Sequence, residues 1–335
     1  MAAIEITRSV RHPQWVLIYA GVDITSDISA MVTDITYRDY AAHYTDEVEV
    51  VLEDRDRRWQ GAWLPTRGDS VILLIGYAGE DLLPCGAFQV DDLEFRGPPD
   101  ELRLRCIASG ITPSIRTQRW AAYESMTLGQ VAQTVAARHQ MTFIDSAEAP
   151  NVQFARVTQS GETDLAFLRR VAWLHNYDFS IRGGQLIFYS RSQLENTPPV
   201  YAISRSGVTR FEFRMRSEEV YSSGAAAYHN PATKRLIRQS ANDVSSPTGD
   251  ELNIVTRCET AQQANLKATA ALHDANMLQT VASLALEGAT LLIAGNNTTI
   301  SGFGMMDGTY HIISSTHRLN RRTGYSTEIE ARRVA

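Results

Sequence analysis

The residues that could do covalent chemistry are few and poorly placed for it. The chain has no G-x-S-x-G nucleophile elbow, no phosphate-cradling Walker loop and no H-E-x-x-H zinc helix. The run GFGMMDG, Gly302 to Gly308, is rich in glycine. It lacks the strand-to-helix setting that makes such a loop an anion site, so it reads as a hairpin connection. His139, His175 and His273 stand singly on helical stretches, and His311 and His317 are too far apart on or near one strand to form a local ligand pair. Each is expected to be a surface or core histidine. Glu162 with Asp164, or Asp178 beside Tyr177, has the residue types of an acid/base pair. Such a pair also needs a cleft and a raised pKa on one partner, so these read as helix-start and hairpin charges. Arg67-Gly68-Asp69 sits at the entry to an apolar strand and reads as turn chemistry. DRDRRW and NRRTG read as solvated loops or partner contacts. Cys85, Cys106 and Cys258 are odd in number, form no C-x-x-C and lie in apolar or strand-like runs. They are expected as reduced core residues. No catalytic, cofactor-binding or metal-binding residue is expected.

Composition sets the class. The chain has 335 residues, 44% hydrophobic and 21% charged, enough for two or three ordinary domains. The net charge is -6 and the pI about 5.8. That argues against a dedicated nucleic-acid binder, which carries a basic face; it does not exclude a channel that lets DNA pass, because a mildly acidic wall would not hold a polyanion. The N-terminal MAAIEITRSVRHPQW has no apolar core long enough for a signal peptide. Runs such as VILLIG fall far short of the ~20 residues of a spanning helix. The expectation is synthesis in the cytoplasm and no membrane insertion by the chain itself.

The elements that must carry any function are mostly strands. DEVEVVLED, ELRLRC and RFEFRMR alternate apolar and polar residues, which puts one face on a core and the other in water or on a polar partner. Short polar turns between them favour antiparallel sheets. One pattern is written twice. PCGAFQVDDLEFRGPPDELRLRC, from Pro84, and MDGTYHIISSTHRLNRRTGYSTEIEA, from Met306, share a Gly, a small residue, an aromatic, an alternating run, a polar turn and a second alternating run. GDSVILLIG and GATLLIAG precede the two copies, and DEVEVVLED is set against DELNIVTRCE. The expectation is a duplicated β domain. Between the copies, SMTLGQVAQTVAARHQM has Thr127 and Gln130 as a capping box, with Leu128, Val131, Ala132, Val135 and Ala136 as a helical stripe. GETDLAFLRRVAWLHNY is a second helix with Leu165, Leu168 and Ala172 on one face, followed by a hairpin turning at Gly183-Gly184. Thr260 and Gln263 start a further helix that the first copy lacks; its segment RDRRWQGAWLPT is shorter there. The expected division is a first β-barrel over residues 1–110, an α+β insert over 111–195 and a second β-barrel over 196–335 with a helix near 260–278. SQLENTPPV marks the second boundary.

Three stretches resemble a known family. GVDITSDI, ETDLAFLRRVAWLHNYDFSIRGGQLIFYS and the closing DGTYHIISSTHRLNRRTGYSTEIEA are similar to segments of the phage late control protein D family. These are baseplate hubs of contractile-tailed phages and R-type pyocins, related to the hub part of type VI secretion spike proteins. The resemblance covers nearly the whole chain. It implies a mainly β fold with two tail-tube-like antiparallel barrels per chain. It also implies a homotrimer whose six barrels form a pseudo-sixfold ring around a channel, joining the sixfold tail tube to the threefold spike. The implied partners are the spike, tail-tube or tube-initiator proteins, the tape measure and baseplate wedge proteins. DNA enters only as passing cargo, and the location is the baseplate of a virion or pyocin particle. The family carries no catalytic residue or cofactor to transfer. Trp120 and Tyr123, at the start of the insert, are candidate partner contacts, with a place in the core as the alternative for both.

Two other functions are weighed against this one. The insert's two helices and flanking strands resemble LysM-like domains, so a peptidoglycan-binding tail module is one; specific saturable retention of the insert on cell-wall material would mark it. A tail-associated cell-wall hydrolase is the other; clearing of cell walls by the pure protein would mark it, and the lack of a nucleophile or carboxylate constellation speaks against it.

Overall fold

The structure is a computed structural model that describes residues 11–41, 45–109, 115, 117–145, 152–182, 184–230, 234–243, 249–256, 258 and 260–334. The first ten residues of the stretch read for a signal peptide, and Gly183 of the hairpin turn, lie outside the described residues.

The chain begins with β1 (Pro13–Tyr19), β2 (Val22–Asp23), the single turn α1 (Thr25–Ile28), β3 (Val32–Tyr40), β4 (Glu47–Glu53), β5 (Ser70–Tyr77), β6 (Leu83–Arg96) and β7 (Glu101–Ala108). The middle holds β8 (Gln118–Thr127), α2 (Leu128–Arg138), β9 (Thr142–Asp145), β10 (Gln153–Thr163), α3 (Asp164–Trp173), β11 (Tyr177–Arg182), β12 (Gln185–Ser190) and α4 (Arg191–Glu195). The last part holds β13 (Tyr201–Ser204), β14 (Val208–Met215), β15 (Ser223–Asn230), β16 (Arg235–Asn242), β17 (Glu251–Val255), α5 (Ala261–Asn276), β18 (Thr280–Glu287), β19 (Asn297–Ser301), β20 (Gly308–Asn320) and β21 (Gly324–Arg333).

One 13-stranded sheet carries both β units, in the order β14-β18-β21-β20-β3-β4-β7-β6-β5-β1-β2, with β19 and β13 attached beside β20. Within it the order β3-β4-β7-β6-β5 repeats as β14-β18-β21-β20-β19. The registers repeat as well. β3 slips against β4 between Val32 and Asp34, and β14 slips against β18 between Val208 and Arg210. β6 slips against β7 between Val90 and Asp92, and β20 slips against β21 between Ile312 and Ser314. Matching these bulges sets Leu52 on Leu286 and Leu102 on Thr327. Leu52 does pair with Leu102, and Leu286 with Thr327. The same matching sets Gly86 on Gly308, and these pair with Leu73 and Ile300 in turn. Both glycines have positive φ, +113° and +153°.

Two of the three sequence pairs behind the duplication fall elsewhere. GATLLIAG is a turn region, and the counterpart of β5 is β19. DELNIVTRCE supplies β17, which joins β15 and β16 in a separate three-stranded sheet, and the counterpart of β4 is β18. Helix α5 therefore fills the connection from β14 to β18, which matches the short β3–β4 link and not RDRRWQGAWLPT. Strand counterparts share hydrogen-bonding position, and position does not require shared residues.

Alternation decides the cores. Val48, Val50 and Leu52 of β4 are fully buried with Leu17, Ile35, Val71, Phe88, Leu104 and Cys106, while Glu47 and Glu49 point the other way. Leu284, Ile300, Tyr310, Ile312 and Ile329 form the equivalent core of the second unit. Each such side chain contributes about 1.5–3 kcal/mol by leaving water. β14 departs from the expectation for RFEFRMR: Phe211 is 44% and Met215 61% exposed, because β14 is the outermost strand and its apolar face is only half covered. In the insert, α2 packs Leu128, Val131 and Val135 against Phe167 and Leu168 of α3 and Phe188 of β12. Thr127 and Gln130 form the expected capping box. At α5 only half of one forms. Thr260 accepts from the Gln263 N–H, while the Gln263 side chain donates to the carbonyl of Gln153 in β10, 2.7 Å away, and so ties α5 to the insert.

Candidate functional site

The alternation that buries one side of the sheet builds a continuous polar surface on the other. It crosses eight strands, four from each repeat: β14, β18, β21, β20, β3, β4, β7 and β6. One cross-strand row runs Arg210, Ala285, Glu328, Thr316, Arg38, Glu47. Glu47 bridges two neighbours, with Arg38 at 3.1 Å and Arg105 at 2.8 Å. Arg103 lies 3.5 Å from Glu49, and Arg318 lies 2.8 Å from Asp34. Arg210 pairs with Glu328. Hydrogen bonds from the Arg105 side chain to Glu47, with the nearby carboxylates, hold the Arg105 pKa above its ordinary value. Opposite charges directly across strands favour this register, yet each exposed pair is worth only about 0–1 kcal/mol. The chemical result is a polar wall on which these opposite charges answer one another locally. Such a wall has little net field with which to hold a polyanion.

Buried polar clusters lie inside the insert and where α4, α5 and β21 meet. Asp164, read from sequence as a helix-start charge, is fully buried. It accepts from Arg138 at 2.7 Å, from Gln159 at 2.9 Å and contacts His139 Nε2 at 2.8 Å. Burial alone would raise its pKa, but the hydrogen bonds from Gln159, His139 and Arg138 outweigh it and hold the carboxyl below its ordinary value. Asp178, read as a hairpin charge, is also buried; burial pushes its pKa up to about 6 against the Phe179 N–H and nearby arginines. The two carboxylates are thus structural groups inside the insert. Glu195 of α4 contacts His273 of α5 at 2.7 Å and Arg332 of β21, joining three elements. Burial opposes its charge, yet the His273 hydrogen bond and Arg332 bring its pKa down to about 2. Asn297 faces the carbonyls of Leu194, Glu195 and Thr197 with its Nδ2, which clamps the SQLENTPPV segment onto the second β unit.

The histidines are core or network groups. His317 is enclosed, with Nδ1 2.8 Å from the Tyr325 hydroxyl and Nε2 3.1 Å from the Leu292 carbonyl; burial brings its pKa down to about 4. His311 behaves the same way beside Asn297. Cys85, Cys106 and Cys258 are buried and free. Among the described residues, no three His, Cys, Asp or Glu side chains are grouped as metal ligands, and no helix is long and apolar enough to cross a membrane.

The two candidate contacts part company. Trp120 on β8 is 77% exposed and lies over Gly161, where the β8–β10 ladder bulges. Tyr123 is 4% exposed, stacks on Phe167 with ring centroids 5.2 Å apart, and accepts from Arg138 at 3.1 Å. It offers no ring face to a partner and takes the core place that was the alternative. Both are on one strand, but residues an odd number apart face opposite sides. Sequence reading missed the polar wall because half of its residues come from strands it had not matched across the repeat.

No family model matches the chain. By sequence it is similar to the probable baseplate hub proteins of Escherichia phage 186, 27% identical over 220 residues, and of Escherichia phage P2, 26% over 224 residues. These matches cover 64% and 66% of this chain but 56% and 57% of the relatives, so the chain spans little more than half of their length. By fold it is similar to a tail protein of prophage MuSo2 from Shewanella oneidensis, TM-score 0.74 at 14% identity, covering 96% of this chain and 98% of that one. A tail protein from Neisseria meningitidis gives TM-score 0.73 at 13% identity, with 96% of each chain covered. A type VI secretion system component of E. coli gives 0.56 at 14%, covering 91% and 74%. The family resemblance read from the motifs holds: the chain is related to phage baseplate hub proteins, and its mainly β fold is that of phage tail proteins.

Proposed function

We propose that this chain is a structural baseplate hub subunit of a contractile tail or pyocin, working as a homotrimer. Three copies carry six repeats of the same five-strand order, and these form a pseudo-sixfold ring between a sixfold tail tube and a threefold spike. The polar wall faces the central channel, and the insert stands outside it with Trp120 as a contact for a neighbouring component. The partners are the spike, tube or tube-initiator proteins, the tape measure and wedge proteins, in a particle assembled in the host cytoplasm. The role is mechanical and needs no cofactor. The division into a first barrel at 1–110, an insert at 111–195 and a second barrel at 196–335 belongs to this reading.

The observation that carries the proposal is the repeated strand order with its two repeated bulges, since a chain with two equivalent units is what turns threefold symmetry into sixfold. The test is the mass in solution by light scattering, alone and with the neighbouring spike protein. A threefold mass or a three-to-three complex supports the ring. A monomer in both conditions overturns it.

A further inference from the structure

We infer that neighbouring copies join by pairing β6 of one copy with β14 of the next, so that Asp92, Leu93, Glu94, Phe95 and Arg96 face Arg216, Met215, Arg214, Phe213 and Glu212. The inference rests on the ring reading and names the contact that closes it.

The chain already contains one such joint. On the side away from β21, β20 pairs first with β19 over 297–300 and then with β3, from Ser314 opposite Tyr40 to Asn320 opposite Asp34. β6 is the counterpart of β20. Away from β7 it pairs with β5 as far as Gln89, and among the described residues no strand continues along Asp91 to Arg96 on that side. β14 is the counterpart of β3. It pairs with β18 on one edge, and among the described residues no strand covers the other. One repeat boundary is therefore filled inside the chain, and the equivalent boundary is split between its two ends. Unpaired edges of this kind are templates for strand addition.

The register follows from the bulges. Matching Val90–Asp92 to Ile312–Ser314 sets Asp92 to Arg96 on Ser314 to Arg318. Matching Val32–Asp34 to Val208–Arg210 sets Thr36 to Tyr40 on Glu212 to Arg216. Carrying over the β20–β3 register then gives Asp92 opposite Arg216, Glu94 opposite Arg214 and Arg96 opposite Glu212 on the polar face. On the other face it gives Leu93 opposite Met215 and Phe95 opposite Phe213. All three charged pairs are of opposite sign, and both remaining pairs are apolar. A shift of two residues one way would set Glu94 on Glu212 and Arg96 on Arg210; the other way it would set Arg96 on Arg214. A shift of one would turn the apolar set into the channel. In the single chain Arg96 answers Glu94 at 2.8 Å and Arg214 answers Glu212 at 3.3 Å along their own strands, while Glu94 also lies 3.9 Å from Arg103 of β7 and Arg216 lies 4.0 Å from Glu219. Phe95 is 41% exposed, beside Leu93. The internal joint supplies the geometry for the aromatic pair: Tyr37 stacks on His317 with centroids 5.9 Å apart and planes 21° apart, and Phe213 and Phe95 are their counterparts.

The test uses the full-length protein carrying Phe95→Cys with Phe213→Cys, alone and with the spike protein. The two positions sit at opposite ends of the sheet, so a bridge between them joins different copies. The expected result is a covalent trimer on a non-reducing gel after mild oxidation, with at least about tenfold less product from Phe95→Cys with Phe211→Cys, which is two residues out of register. In parallel, Arg214→Glu should weaken the trimer by about tenfold or more, and adding Glu94→Arg should restore it. A trimer by light scattering that neither cross-links in register nor responds to the charge exchange would overturn the inference and leave the ring standing. A monomer throughout would overturn both.

Discussion

Replacing Asp164 tests the account of the insert most directly. The carboxylate is fully buried and receives Arg138 at 2.7 Å, Gln159 at 2.9 Å and His139 at 2.8 Å, with Arg119 Nε a further 3.3 Å away. Asp164→Ala removes every acceptor at once. Hydrogen bonds to a charged group are worth about 1.5–3 kcal/mol each, and breaking a buried ion pair costs about 3–5 kcal/mol because charge is left without an answer. Arg138 and Arg119 keep part of their side chains in water and can rehydrate, so the lower end, about 3 kcal/mol, is expected. Asp164→Asn keeps the shape and loses the charge, with an expected cost of about 2 kcal/mol. The assay is urea unfolding of the full chain, followed by hydrogen exchange at α2 and α3 so that the insert is read apart from the β units. Arg138→Ala, and the double variant with Asp164→Ala, completes a cycle whose coupling should exceed about 1 kcal/mol. A loss below about 1 kcal/mol for Asp164→Ala, or additive effects of the two changes, would show that Asp164 does not hold the insert together through Arg138.

Four other outcomes follow from the same structure. Burial brings His175, His311 and His317 down to about 4, below the ordinary 6.5, so their stabilisation is complete above pH 6.5 and is lost as pH falls from 6.5 towards 4; each accounts for up to about 3 kcal/mol, and pH-dependent unfolding should show the decline. Asp178 has the opposite sign, its raised pKa being unfavourable as pH climbs through about 6, so Asp178→Asn should gain on the parent at pH 8 more than at pH 4. A Cβ at Gly288 would stand 2.1 Å from Cδ1 of the buried Tyr325 ring, so Gly288→Ala should cost about 1–3 kcal/mol in thermal unfolding. Trp120→Ala should change stability by less than about 0.5 kcal/mol while weakening co-purification with baseplate neighbours; unchanged co-purification would remove Trp120 as a contact.

Sequence alone was enough for the strand or helix character, and the apolar side, of DEVEVVLED, ELRLRC, α2 and α3, though not for GATLLIAG, which forms a turn region. Period-two alternation in DEVEVVLED and ELRLRC, the capping box at Thr127 and the antiparallel pairing of β11 with β12 follow from local pattern, and local pattern survives folding. The hairpin that recurs from Pro84 and from Met306 was legible for the same reason. Which strands correspond across the repeat was not, because β18 and β19 occupy the places of β4 and β5 through hydrogen-bonding position and share little composition with them. The burial of Asp164 and the separation of Trp120 from Tyr123 also needed the tertiary structure. A carboxylate near a helix start looks the same from sequence whether it meets water or Arg138, Gln159 and His139, and those partners lie on other elements. The polar wall is the clearest case. Each strand shows only that half of its residues are hydrophilic, and only the joining of β20 to β3 makes two such faces into one surface.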